Sequence, residues 1–125
     1  VGQRGQLARY PIHWHVAQDV AGQYARRNSI WRSFNRCITV HGSHAATVEG
    51  NVCHDHLGHG YFLEDGTEVY NVLDRNLAVA VVKGKRLPKQ VLPFDANEGA
   101  GFWWTCSLNS FTRNVAVETD VYGFR

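Results

Sequence analysis

A chain of 125 residues has the size of one domain and is long enough to bury a core. Its net charge is +2 with histidine neutral, and no basic run is interleaved with aromatics, so nucleic acid is not an expected partner. No apolar run approaches membrane-spanning length and no secretory signal is present, so this segment is expected to make no membrane contact.

In chain order, the first β-type run is Ile12-His13-Trp14-His15, which ends in an ionisable group. The next of its kind is Ile38-Thr39-Val40-His41, followed by Phe62-Leu63-Glu64-Asp65, Phe102-Trp103-Trp104-Thr105 and Gly123-Phe124-Arg125. Between them falls a second series: Ala-Arg-Arg-Asn28, Val-Glu-Gly-Asn51, Leu-Asp-Arg-Asn76 and Phe-Thr-Arg-Asn114, each followed by a small or apolar pair. The asparagines are 23, 25 and 38 residues apart, and the two series run in phase. The long last gap holds a Pro- and Gly-rich stretch, 83–100, expected to be a loop insertion between coils. Its basic part, Lys83 to Lys89, contains Gly84 and Pro88 and reads as a solvated loop.

A period near 23 residues built of short strands fits a leucine-rich repeat or a parallel β-helix. The leucine consensus is missing, and no long stretch carries apolar residues at helical spacing. The expected fold is therefore all-β: a single-stranded parallel β-helix of four to five coils. Asn28, Asn51, Asn76 and Asn114 would form a structural ladder, because asparagine tolerates left-handed backbone and its amides hydrogen-bond from coil to coil. The chain begins with Val1 and ends inside a strand-like run. It reads as one segment, 1–125, of a longer β-helix truncated at both ends, whose further coils would be its partners. Its terminal rungs are then expected to expose apolar edges and promote association.

Strand alternation places Ile12, Ile38, Phe62 and Phe102 in one inward column. Trp14, Val40, Glu64 and Trp104 then form a second inward column, while His15, His41, Asp65 and Thr105 point outward with His13 beside them. Histidines beside a carboxylate on one face suit acid–base chemistry, or a divalent metal held by His15, His41 and Asp65. Glu64 is anomalous in an apolar column. Either it is a buried carboxylate that must be paired, or the strand breaks there and turns at Glu64-Asp65-Gly66. Adjacent carboxylates on a strand face opposite ways, which argues against a paired-carboxylate glycosidase. His54, Asp55, His56 and His59 read as a metal or proton-transfer site or, preferably, as a polar turn. Trp103 and Trp104 offer a sugar-stacking platform, with aromatic core the stronger alternative. Three cysteines, Cys37, Cys53 and Cys106, allow at most one bridge, and three small buried thiols are the favoured reading.

Arg9-Tyr-Pro-Ile-His-Trp-His15 with Asp19 resembles a motif of the family that includes the cell-migration-inducing hyaluronan-binding protein, its transmembrane hyaluronidase relative and fibrocystin-like proteins. Ser33 to Gly42, Gly58 to Gly66, Phe102 to Thr105 and Tyr122 to Phe124 match later motifs in order. The resemblance implies a right-handed parallel β-helix at the cell surface or outside the cell, and an acidic polysaccharide such as hyaluronan as partner. Two functions stay open. One is a glycan-binding or glycan-depolymerising segment in which His13, His15, His41, Asp65 and Glu64 carry chemistry, Arg9, Arg36 or Arg125 pair with uronate carboxylates, and Trp103 stacks on sugar. The other is a non-catalytic scaffold or adhesion segment of fibrocystin type. An open histidine face favours the first, and a face covered by the 83–100 loop favours the second.

Overall fold

The computed structural model describes residues 2–125, and among them there is no helix. Thirteen strands form three parallel sheets. The first sheet stacks β1 (Ile12–Asp19), β4 (Ile38–His44), β7 (Tyr61–Leu63), β10 (Ala100–Trp103) and β13 (Tyr122–Phe124). The second stacks β2 (Tyr24–Arg26), β5 (Thr47–Glu49), β8 (Val72–Asp74) and β11 (Ser110–Thr112). The third stacks β3 (Ser29–Ser33), β6 (Val52–Leu57), β9 (Leu77–Val82) and β12 (Val115–Thr119). The chain visits the three sheets in turn, and each pass lies directly on the last. The result is a parallel β-helix of about five turns.

The corner between the second and third sheets is two residues long, and its asparagines stack. The Asn51 Oδ1 accepts from the backbone N–H and side-chain amide of Asn28 at 3.0 and 2.8 Å. Asn76 does the same for Asn51, and Asn114 for Asn76. Each amide thus satisfies groups that a sharp corner leaves without strand partners. The left-handed residue is not the asparagine but the one before it: Arg27, Gly50, Arg75 and Arg113 have φ between 53° and 64°. Asparagine is there for its side-chain amide, not for its backbone tolerance. A second column, Asn71 on Asn109, serves the corner between the first and second sheets in the same way. In the third sheet, Arg32, Asp55, Ala80 and Glu118 share a φ of 52–55°. This bulge restores the inward direction to Ser33, His56 and Val81 after the inward Ile30, Cys53 and Ala78.

The first sheet corrects the expected register by one residue at one rung. Ile38 pairs with Tyr61, and Tyr61 with Phe102, so the inward column is Ile12, Ile38, Tyr61, Phe102 and Phe124. Phe62 instead joins His13, Thr39 and Trp103 on the outer face. Two adjacent aromatics leave a period-two pattern undecided. Tyr61 takes the core because its ring stacks on Phe102 at 4.6 Å while its hydroxyl donates to the Asn51 carbonyl at 2.8 Å. Leu63 then fills the second inward column beside Val40, and Glu64 leaves the core.

Residues 83–99 form no strand and fold back over the outer face of the first sheet. Leu92 packs on Phe62 and Trp103, and Phe94 stacks on Trp103 at 6.3 Å. The anchor is Arg36, which is fully buried. Its guanidinium donates to Asp95 at 2.6 Å, Asn97 at 3.2 Å and the Tyr10 hydroxyl at 2.9 Å, pairs with Glu64 at 3.3 Å and lies over the Phe62 ring at 4.0 Å. His59 completes the anchor. Its Nδ1 accepts from the Ala100 N–H at 3.1 Å, so its Nε2–H donates to Asp95 at 2.8 Å. Cys37 and Cys53 form a disulfide across the interior, contrary to the three free thiols favoured from sequence, while Cys106 is free. The closing of one coil that brings the bridged pair to 6.1 Å between Cα atoms is invisible in a 16-residue separation.

Candidate functional site

Beyond the edge of the 83–99 cover, β1 and β4 run side by side with His15 paired to His41 and His13 to Thr39. Alternation sends all three imidazoles to the outer face, and they cluster. The His13 and His15 ring centres lie 4.9 Å apart, His15 and His41 4.8 Å, and His13 and His41 6.1 Å in a stack. Acceptor-only partners assign the protons. The His13 Nδ1–H donates to the Ala8 carbonyl at 3.2 Å, and the His41 Nε2–H donates to Asp65 Oδ1 at 2.9 Å. His41 Nδ1 then faces His15 Nδ1 at 3.0 Å. His13 Nε2 is buried and has no hydrogen-bond partner among the described residues. Burial holds His13 neutral, with its pKa pushed down to about 4.

The carboxylates arrive through a turn. β7 ends at Leu63, and Gly66, with a φ of +74°, makes the reversal; a Cβ there would meet Thr105 Oγ1. Both readings of Glu64-Asp65-Gly66 hold in part: the strand ends and the chain turns, and Glu64 is a buried, paired carboxylate, though outside the inward column. Glu64 continues the backbone ladder, donating its N–H to the Val40 carbonyl at 2.9 Å, and so occupies the outward place beside His41 that Asp65 was expected to fill. It is nevertheless 2% exposed. Tyr10 donates to it, Arg36 pairs with it, and its second oxygen lies 3.8 Å from His41 Nδ1. Burial pushes the Glu64 carboxyl up against the pull of Arg36. Asp65 is held by Glu68, whose Oε1 accepts the N–H of both Asp65 and Gly42. Glu68 is a positioning residue that strand alternation gave no reason to single out.

Several expected roles change. Arg36 and Trp103, at 0% and 1% exposure, cannot touch a glycan; one is the loop anchor and the other its seat. Asp65 sits on the far ring nitrogen of His41, so the ligand atoms that converge are those of His13, His15 and His41, all within 4.8 Å of one another. Arg9 is exposed and borders a shallow depression with Gly2, Gln3 and Tyr10. Arg125 is paired with Glu98. His54, Asp55, His56 and His59 do not assemble: the first two are exposed, and the last two are buried inside the coil and under the loop. The basic stretch is the solvated loop expected, with Lys83, Lys85, Arg86 and Lys89 exposed, and part of it also walls a cavity of about 300 Å³, lined by Arg4, Lys83, Lys85 and Arg86 with Phe34 and Leu57.

The fold and the face together define a parallel β-helix segment that carries a histidine cluster on its outer sheet. The sequence matches the CEMIP β-helix family over residues 1–125, and the chain belongs to that family. It is 39% identical to mouse Fibrocystin-L over 124 residues, which is 98% of this chain and 3% of that protein. It is 37% identical to human Fibrocystin-L over the same length. It is also 42% identical to the human cell surface hyaluronidase CEMIP2 over 95 residues, 70% of this chain and 7% of that protein. The chain thus spans a small fraction of each of these relatives.

Proposed function

We propose that this chain is an acidic-glycan-binding segment of an extracellular β-helix. The observation that carries the reading is the cavity at the mouth of the 83–99 loop. Four cations, Arg4, Lys83, Lys85 and Arg86, line it, and no carboxylate is among its lining residues. Phe34 and Leu57 supply an apolar wall for a sugar face, and guanidinium matches a uronate carboxylate bidentately. The relative named as a cell surface hyaluronidase makes hyaluronan the ligand to try first. The buried Cys37–Cys53 disulfide supports an oxidising compartment. If the segment also cleaves, the His13, His15, His41 and Asp65 face is the place for it, with Arg9 beside it. A scaffold role is the second reading, favoured by the burial of Arg36 and Trp103.

The test is binding of the chain to size-defined hyaluronan at rising salt. We expect affinity that falls with ionic strength and drops about tenfold in Lys85→Ala/Arg86→Ala, equivalent to about 1.4 kcal/mol. Product size reports cleavage in parallel, and His15→Ala should abolish any that occurs. Absence of binding at low salt would leave the scaffold reading.

A further inference from the structure

We infer that His13, His15 and His41 form a binding site for a first-row divalent transition ion, zinc by ligand type, with Asp65 and the Ala8 carbonyl orienting two of the ligands. Ligand directions come first. His13 gives its Nδ1–H to the Ala8 carbonyl, which leaves the Nε2 lone pair buried and without a partner, the nitrogen of that ring left free to ligate. His41 gives its Nε2–H to Asp65, which leaves the Nδ1 lone pair 3.0 Å from His15 Nδ1. A carboxylate or carbonyl on the far nitrogen of a ligating imidazole is the recurrent support of such sites, because it fixes tautomer and ring orientation.

Spacing comes second. With metal–nitrogen bonds of about 2.0–2.1 Å, tetrahedral ligand nitrogens lie about 3.3 Å apart. His15 and His41 are already at 3.0 Å, and all three ligand atoms lie within 4.8 Å. The remaining gap closes by turning the ring of His15, whose side chain is exposed and unhindered by the core. Charge comes third. Glu64 and Asp65 both border His41, and the buried Glu64 Oε2 lacks a hydrogen-bond partner. Arg36, the nearest buried cation, already faces Asp95 and Glu64. Three imidazoles select a borderline ion over calcium or magnesium, which demand oxygen ligands. The exposed side of His15 leaves the fourth position to water or to a ligand oxygen.

The proposal does not rest on glycan binding, since uptake is read without any glycan, so either can fail alone. The experiment is calorimetric titration of the chelator-stripped chain with zinc, repeated with cobalt and read by visible absorption. The expected result is one ion per chain, with cobalt bands of tetrahedral type. His13→Ala and His15→Ala should each weaken uptake at least tenfold, and Asp65→Asn by about ten- to a hundredfold. His54→Ala, on an exposed residue of the third sheet, should change nothing. His15 contributes nothing to the core, so its variant tests the site without threatening the fold; circular dichroism checks this. No saturable uptake would overturn the assignment. So would unchanged affinity in both His13→Ala and His15→Ala, or an equal loss in His54→Ala.

Discussion

His56 lies inside the solenoid at 1% exposure, with its ring against Gly60. Burial pushes its pKa down to about 4 from an ordinary 6.5. The unfolded chain therefore binds a proton that the folded chain refuses between those two values, and stability must fall as pH drops through that window. The size is on the order of 3 kcal/mol once pH is below 4. Melting temperature measured from pH 7 to 4 should decline, and His56→Gln should flatten the decline. Equal slopes in the two proteins would show that His56 is not the group responsible. Arg36 is the other residue whose surroundings define it. Its charge is compensated by Asp95 and Glu64, so Asp95→Ala would leave a buried cation half paired and cost about 3–5 kcal/mol. That variant should also release the 83–99 segment, and trypsin cleavage at Lys83 to Lys89 would report it. Unchanged cleavage would mean that Leu92 and Phe94 hold the segment without the ion pair.

At the scale of elements, the corner asparagines set the rise from coil to coil. Asn51 is buried, accepts two bonds from Asn28, and donates to Asn76 Oδ1 and to the Ala25 carbonyl. Asn51→Ala strips the Asn28 N–H and the Ala25 carbonyl of their partners at once. A loss of about 2–4 kcal/mol follows, read as a shift of the urea midpoint at constant slope. Asn114→Ala should cost less, since that residue is half-buried and, beyond its bonds to Asn76 and the Leu73 carbonyl, lacks the further amide bond that Asn51 makes to Asn76. Equal losses at both positions would mean that the ladder is not cooperative. The strands need the corners because most are three to six residues long and cannot hold their register by ladder bonds alone.

Over the whole molecule, contacts join neighbours in the stack, and the one disulfide among the described residues ties the start of β4 to β6 across a single coil. Closing a 16-residue separation stabilises the fold by about 3 kcal/mol. Cys37→Ala/Cys53→Ala, or the reduced protein, should lose that much in denaturant titration. A much smaller loss would show that the reduced, unfolded chain keeps residual structure that already holds the two cysteines near each other. The last coil leaves Val115, Val117, Tyr122 and Phe124 exposed, and the first leaves Val16, Tyr24 and Trp31 exposed. Of these, Phe124 belongs to the inward column and is uncovered as the last rung, whereas Tyr24, Trp31, Val115 and Val117 alternate with inward residues and face outward.

The sequence by itself determined the architecture, because a β-helix writes its period into the chain: Asn28, Asn51, Asn76 and Asn114 recur wherever a corner recurs, and the β-type runs recur in phase. It also determined that His13, His15 and His41 share a face, since alternation along β1 and β4 and parallel pairing leave them no other. What it could not determine hangs on contacts between residues far apart in the chain. Tyr61 or Phe62 in the core is a choice between two aromatics, settled by the Phe102 ring below and the Asn51 carbonyl beside it. Arg36 and Trp103 look like surface binding groups until a loop some sixty residues on from Arg36, carrying Asp95, folds over them. The Cys37–Cys53 bond, the Glu68 tie to Gly42 and the cavity walled by Lys83, Lys85 and Arg86 arise the same way. Periodicity is a local property and survives in one dimension. Which side chain a loop buries, pairs or leaves open depends on where that loop lands, and only the stacked structure fixes that place.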